Sequence, residues 1–266
     1  MKRGLIFAKR NLLEMLRDPI IYLFGLLFPV LMLTLFYVIN RNIPGDGNEC
    51  FKATSLIPGI LVFSYTFLML IMSLLVSKDR KSSFMLRLYS SPMKTGEYLF
   101  GYTIPTFIIG LLQTIVCLFY GFILSLISHD SFISFPNLML LMFEMLPMIL
   151  ICIFLGILFG TILNDNSAPG ICSIFISASG VLGGAWMPLD TMTALEKIAF
   201  VFPFYPVNYL GRIITGAYHS MPNELGNLVQ YSFDTKGLIS LIVYCVYFIL
   251  VLLATTIVFQ KQTHSR

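Results

Sequence analysis

Six apolar stretches, each close to the length of a bilayer-crossing helix, are strung along the 266 residues of this chain. An α-helix rises about 1.5 Å per residue, so about 20 apolar residues span a hydrocarbon core about 30 Å thick. Stretches 20–39, 56–76, 106–127, 138–163, 170–187 and 238–259 meet that length. They are apolar almost throughout rather than at alternate positions, which excludes the strand pattern of a membrane barrel. Composition agrees, because 57% hydrophobic and 11% charged residues leave too little polar surface to clothe a water-soluble globule. The expected fold is an all-α membrane protein of six transmembrane helices.

Lysine and arginine placement sets the expected orientation. The two terminal segments and the loops on their side carry 12 of these residues, against 5 in the opposite loops. By the positive-inside tendency both termini are expected in the cytoplasm. The net charge of +4 is thus a topology signal, and nucleic acid is not an expected partner. Cys117, Cys152, Cys172 and Cys245 fall inside spans and only Cys50 in a loop, so no disulfide or metal framework is legible. A charged stretch of 18 residues precedes the first apolar run and no small-residue cleavage site follows it, so 20–39 reads as a retained span.

Residues 1–18 read as an amphipathic interfacial helix, distinct from the transmembrane domain 19–266. Leu5, Ala8, Leu12, Met15 and Leu16 recur at helical spacing, with Arg3, Arg10, Glu14 and Arg17 opposite and Phe7 on the polar side. Asp18-Pro19 ends the helix and turns the chain into the bilayer. A plain membrane anchor fits this pattern equally well. The loop 77–98 opens with Lys78-Asp79-Arg80-Lys81, continues through the helix-compatible run Ser83 to Tyr89, and stops at Ser90-Ser91-Pro92. Phe84, Met85 and Leu88 on that run need a surface to bury them, whether lipid or protein; a solvated charged loop is the alternative.

Beyond the fifth stretch, Gly183-Gly184 and Pro188 break the helix. Thr193 with Glu196 three residues on has the form of a capping box, predicting a short helix to about Phe202 with Leu195, Ile198, Ala199 and Phe202 on its apolar face. A helix of about 10 residues cannot span, so it should lie at or dip into the outer leaflet. Inside the spans, Glu144 is the one carboxylate, and Gln113 and Ser177 are polar candidates for a pathway. Bonding between packed helices is the competing role for them. Gly156 and Gly160 form a GxxxG pair that suits close helix packing. No G-x-x-x-x-G-K-[ST] run occurs, and His129, His219 and His264 show no metal-ligand spacing.

Taken in order, these pieces resemble the permease subunits of type-2 ATP-binding-cassette (ABC) exporters, a family that includes drug and peptide exporters. The resemblance rests on the N-terminal helix, the spans, the run Asp79 to Leu88 with Ser91-Pro92 and Gly101, and Gly183-Gly184-Ala185-Trp186-Met187-Pro188-Leu189 followed by Phe202-Pro203-Phe204-Tyr205-Pro206. Many members carry a Gly-Thr pair and an acidic residue where this chain has Ser83-Phe84 and Leu86. The resemblance implies an inner coupling loop, with Arg80, Ser83, Phe84, Leu86, Arg87, Leu88 and Pro92 meeting an ATPase. It also implies a re-entrant outer gate over 186–212 that includes Trp186, Met187, Pro188, Phe202, Pro203 and Tyr205; an interfacial helix without a gating role is the alternative. The expected protein is a non-catalytic, multi-pass permease in the cell (plasma or inner) membrane, exporting an amphipathic or hydrophobic drug, peptide or lipid-like substrate. It would bind no cofactor itself: ATP and Mg would sit on a cytoplasmic ABC ATPase present in two copies, beside a second permease chain. The alternative class is a secondary transporter or channel subunit, which would be expected to show ionisable groups near the midplane.

Overall fold

The computed structural model describes residues 2–43, 49–81, 95–128, 133–164, 166–187, 189–219 and 228–264. Helix α1, Lys2–Met15, precedes α2, which runs 19–42 as Pro19–Ile21, a π-helical stretch Tyr22–Leu27 and Phe28–Asn42. Next come α3 (Ala53–Lys81), α4 (Thr95–Ser128), α5 (Phe135–Ile162) and α6 (Ala168–Leu182). Two short helices, α7 (Thr193–Ala199) and α8 (Phe204–Thr215), lead to α9, Thr235–His264. Five of these helices, α2, α3, α4, α5 and α9, are long and apolar enough to cross a membrane. The stretch expected as a fifth span instead contains a helix of 15 residues, which rises only about 22 Å.

Helix α3 is the axis of the bundle, with 89% of its apolar window buried against 17% for α9. It packs on α2, α4, α5, α6 and α8. Two glycines make its contact with α5 possible: a Cβ on Gly156 would stand 2.6 Å from the Met69 carbonyl oxygen, and one on Gly160 2.6 Å from that of Ser73. The GxxxG pair therefore serves packing within the chain, where dispersion between closely approached backbones replaces the hydrophobic drive that lipid does not supply.

Helix α1 is present, but the face it packs differs from the expected arc. Phe7, Ala8, Asn11 and Met15 are buried, whereas Leu5 and Leu16 are exposed. The buried face lies on the start of α4: Phe7 meets Tyr102 edge-on at 4.9 Å, and Asn11 Nδ2 donates to the Gly101 carbonyl at 3.1 Å. Sequence periodicity merged two apolar faces, one for protein and one for lipid.

The expected capping box also fails to form. Met192 occupies the N-cap without a side-chain bond, and Glu196 instead pairs with Lys236 at 2.7 Å and accepts from the Tyr205 hydroxyl at 3.3 Å. The helix ends at Ala199 rather than near Phe202.

Candidate functional site: two interlocked ends of the bundle

At the α1 end, three helices meet on one carboxylate. Asp79, 2% exposed, accepts from Arg10 Nη1 at 3.1 Å and from the Tyr102 hydroxyl at 2.9 Å. Burial pulls the Arg10 guanidinium's pKa down, and the hydrogen bond and charge of Asp79 more than reverse this, so it is held above its usual value. Glu14 extends the network to Arg10 and to Lys78, both at 2.8 Å. Arg80 points the other way. It donates to the carbonyls of Thr161 and Leu163, the latter at 2.6 Å, and to Asn164 Oδ1 at 3.3 Å. The last carbonyls of a helix lack intrahelical donors and carry the negative end of its dipole, so this cation closes the end of α5.

Asp79 and Arg80 thus clamp α1, α4 and α5 to the last turn of α3, where the segment 82–94 departs. Of the residues expected to meet an ATPase, only Arg80 is among those described; Ser83, Phe84, Leu86, Arg87, Leu88 and Pro92 lie outside them. Asp79→Ala is expected to cost about 1.5–3 kcal/mol, as for a lost hydrogen bond to a charged group. Its check is a lowered thermal midpoint in detergent, with a smaller drop for Asp79→Asn.

The opposite end is organised around two glycine carbonyls. Gly183 closes α6, and Gly184 takes φ +62°, which turns the chain back toward α3. Asn208 Nδ2 donates to both carbonyls, at 2.8 and 2.9 Å. Arg212, 1% exposed, donates to Gly184 O at 2.8 Å, Ser55 O at 3.3 Å and the Tyr231 hydroxyl at 3.3 Å. Burial pushes the Tyr231 phenol up to about 12.

Pro58 explains a neighbouring bond. It has no N–H for the Thr54 carbonyl one turn back, and the Thr215 hydroxyl of α8 donates there instead, at 2.6 Å. Gly59 completes the fit, because a Cβ would stand 2.6 Å from the Ala185 Cα.

From this turn the only tryptophan of the chain, Trp186, enters a row of aromatic rings. It stacks on Phe36 at 6.0 Å and meets Phe63 edge-on at 4.7 Å. The row continues through Phe28 and Phe67 to Phe24, with centroids 4.8–5.5 Å apart along α2 and α3. Phe24 lies in the π-helical stretch, whose widened turn re-phases the side chains that follow it.

The other expected gate residues spread around the turn. Met187 and Phe202 are half-buried and Pro203 is buried. Tyr205 is wholly buried and packs edge-on against Phe200 at 5.0 Å. Pro188 lies outside the described residues.

The three pathway candidates do not share one environment. Gln113 is fully buried beside Thr114, whose hydroxyl bonds that of Tyr65 at 2.6 Å. The Glu144 carboxylate is buried, and neither it nor the Gln113 amide has a hydrogen-bond partner among the described residues. Ser177 is exposed on α6. Sequence reasoning missed Thr215 and the phenylalanine row, named no role for Asn208 within the gate segment, and took Arg212 as a topology charge and the last residue of that segment. An arginine amid the apolar, aromatic run 198–214 was the available signal.

A comparison with curated proteins returns no match. Among family models, that of the ABC-2 type transporter matches residues 4–215, from α1 to the last residue of α8. Both interlocked ends fall almost wholly within that span, and the chain therefore belongs to the ABC-2 type transporter family of membrane components.

Proposed function

We propose that this ABC transporter permease is an exporter, seated in the cell (plasma or inner) membrane with both termini cytoplasmic. In this reading α6 and the turn after it make up the fifth of six crossings, and 186–212 forms the outer gate. The permease works beside a second permease chain, with ATP and Mg bound on two cytoplasmic ABC ATPase subunits. The observation that carries the reading is the clamp at the α1 end. Lys81 and Thr95 bound the segment 82–94, and the helices leaving both are fastened next to them, by Asp79 and Arg80 on one side and by Tyr98, Gly101 and Tyr102 against α1 on the other. A push on that segment is passed to α1, α3, α4 and α5 together.

The row from Phe24 to Trp186 is uncharged and aromatic, which suits an amphipathic or hydrophobic cargo such as a drug, peptide or lipid-like molecule. Gln113 and Glu144, in separate environments, are the buried polar candidates for a pathway, since unpartnered polar side chains inside a membrane bundle are tolerated best where they meet water or a ligand.

The test is assembly and export. The tagged chain should co-purify with an ABC ATPase and, in inside-out vesicles, drive ATP-dependent uptake of hydrophobic dyes. Phe84→Asp and Leu88→Asp should each weaken ATPase binding about tenfold or more, given about 1.5–3 kcal/mol per buried apolar anchor. Membrane insertion should be unchanged. If both variants bind and export as well as an Asn223→Asp control, the coupling assignment is wrong.

A further inference from the structure

Where α1 gives way to α2, the chain makes an elbow that satisfies its own backbone. The Asp18 carboxylate accepts from the Ile20 N–H at 2.9 Å, and the Tyr22 hydroxyl donates to the Leu16 carbonyl at 2.7 Å. Helix α3 passes behind this elbow without filling the space against it. A cleft of about 360 Å³ remains, walled by Ile21, Ile71, Leu74 and Leu75.

Its rim is charged, carrying Glu14, Arg17, Asp18 and Lys78. The apolar wall lies deeper along the spans, and the charges lie at the end of α3 that leaves the apolar window. The cleft therefore straddles the boundary between hydrocarbon and water. Three of the four rim charges are engaged: Glu14 with Lys78 and Arg10, and Asp18 with its backbone cap. The exposed Arg17 guanidinium has no hydrogen-bond or ion-pair partner among the described residues. Beside the cleft, Leu16, Ile20 and Leu23 are 42–48% exposed, so the cleft opens beside apolar side chains of the first span that suit lipid.

We infer that this cleft binds one glycerophospholipid from the adjacent leaflet, its phosphodiester on Arg17 and an acyl chain along Ile71, Leu74 and Leu75. The charge pattern favours that occupant. A guanidinium presents a planar fork of donors matched to phosphate oxygens, and Lys78, 69% exposed on its side chain, adds a second cation at the rim. Glu14 and Asp18 beside them disfavour a polyanion and suit a headgroup with a single phosphodiester. The lipid would brace the elbow, and with it the angle at which α1 meets α4. This site does not depend on the transport reading, because it follows from the elbow alone.

The test is lipid retention by the full-length chain, delipidated in detergent and read by native mass spectrometry. The probes are phosphatidylglycerol and a diacylglycerol with the same chains but no phosphate. The chain should retain one phosphatidylglycerol, about fivefold or more in preference to diacylglycerol, the scale of one basic side chain at a membrane surface. Arg17→Gln should abolish the preference while leaving the thermal midpoint unchanged. Leu74→Trp, which fills the cleft, should reduce retention of both lipids; should that variant not fold, the Arg17→Gln comparison decides alone. Glycerol 3-phosphate should not compete, since it has no acyl chain. Equal retention of the two lipids, an Arg17→Gln chain that keeps the preference, or competition by glycerol 3-phosphate matching that of the lipid would each overturn the assignment.

Discussion

Replacing Arg212 by methionine is expected to unlock the end of the bundle that carries Trp186. The side chain stays long and apolar, so the volume is roughly kept, but the donors to Gly184 O, Ser55 O and the Tyr231 hydroxyl all disappear. Each buried group left without its partner costs about 1–3 kcal/mol. Asn208 still holds Gly184 O, so two groups lose their donor and the total is about 2–6 kcal/mol. Arg212→Lys should fall between, because an ammonium lacks the planar fork needed to reach three acceptors at once. With a single tryptophan in the chain, emission reads the effect directly. Arg212→Met should shift it to the red and raise its quenching by acrylamide, alongside a lower thermal midpoint. A methionine variant with the parent's emission and midpoint would mean that Arg212 does not hold the turn.

The second large effect is expected where α5 crosses α3. At Gly156 and Gly160 the obstacle to a side chain is backbone, which no rotamer change can relieve. Gly160→Ala gains about 1 kcal/mol of helix propensity and loses about 1–3 kcal/mol to overpacking against the Ser73 carbonyl, so it should destabilise by up to about 2 kcal/mol. Gly160→Leu gains nearly the same propensity but sets a whole isobutyl group against that backbone, and should push α5 off the axis of the bundle. The Gly156→Leu/Gly160→Leu chain is expected to yield little monodisperse protein in detergent. The single variants should show clearly lowered midpoints by size-exclusion after heating. If the leucine variants changed only the oligomeric state and left the midpoint of the isolated chain alone, the pair would be a seam between chains.

Why some of this was legible in the sequence and some was not has a physical basis. Spans announce themselves because lipid demands apolar side chains all round, and that same demand hides which face meets protein. Phe7 shows the consequence: read as an intruder on the polar side of α1, it is the residue that wedges against Tyr98 and Tyr102. Helix α8 was invisible because Pro203 and Pro206 look like breakers. Pro203 is its N-cap and Pro206 falls in its first turn, where the backbone N–H groups have no intrahelical acceptor to lose.

Asp79 and Arg80 were noticed as a charged run, but adjacent residues on a helix point in different directions, and only the fold shows one closing on α1 and the other on α5. Arg212 could be counted as a charge, yet its three acceptors lie on residues 55, 184 and 231, a set that no local pattern unites.

The central claim is that nucleotide chemistry on a partner, applied at the α1 end, opens the opposite end of this chain. Trp186 emission in the lipid-reconstituted complex with its ATPase tests this most directly, since the ring is caged by Phe36 and Phe63. ATP with Mg should change the emission reversibly, trapping with vanadate should hold the change, and Phe84→Asp should abolish it while the isolated ATPase still hydrolyses nucleotide. An emission identical with and without ATP, in a complex that hydrolyses ATP and moves its cargo, would contradict the account.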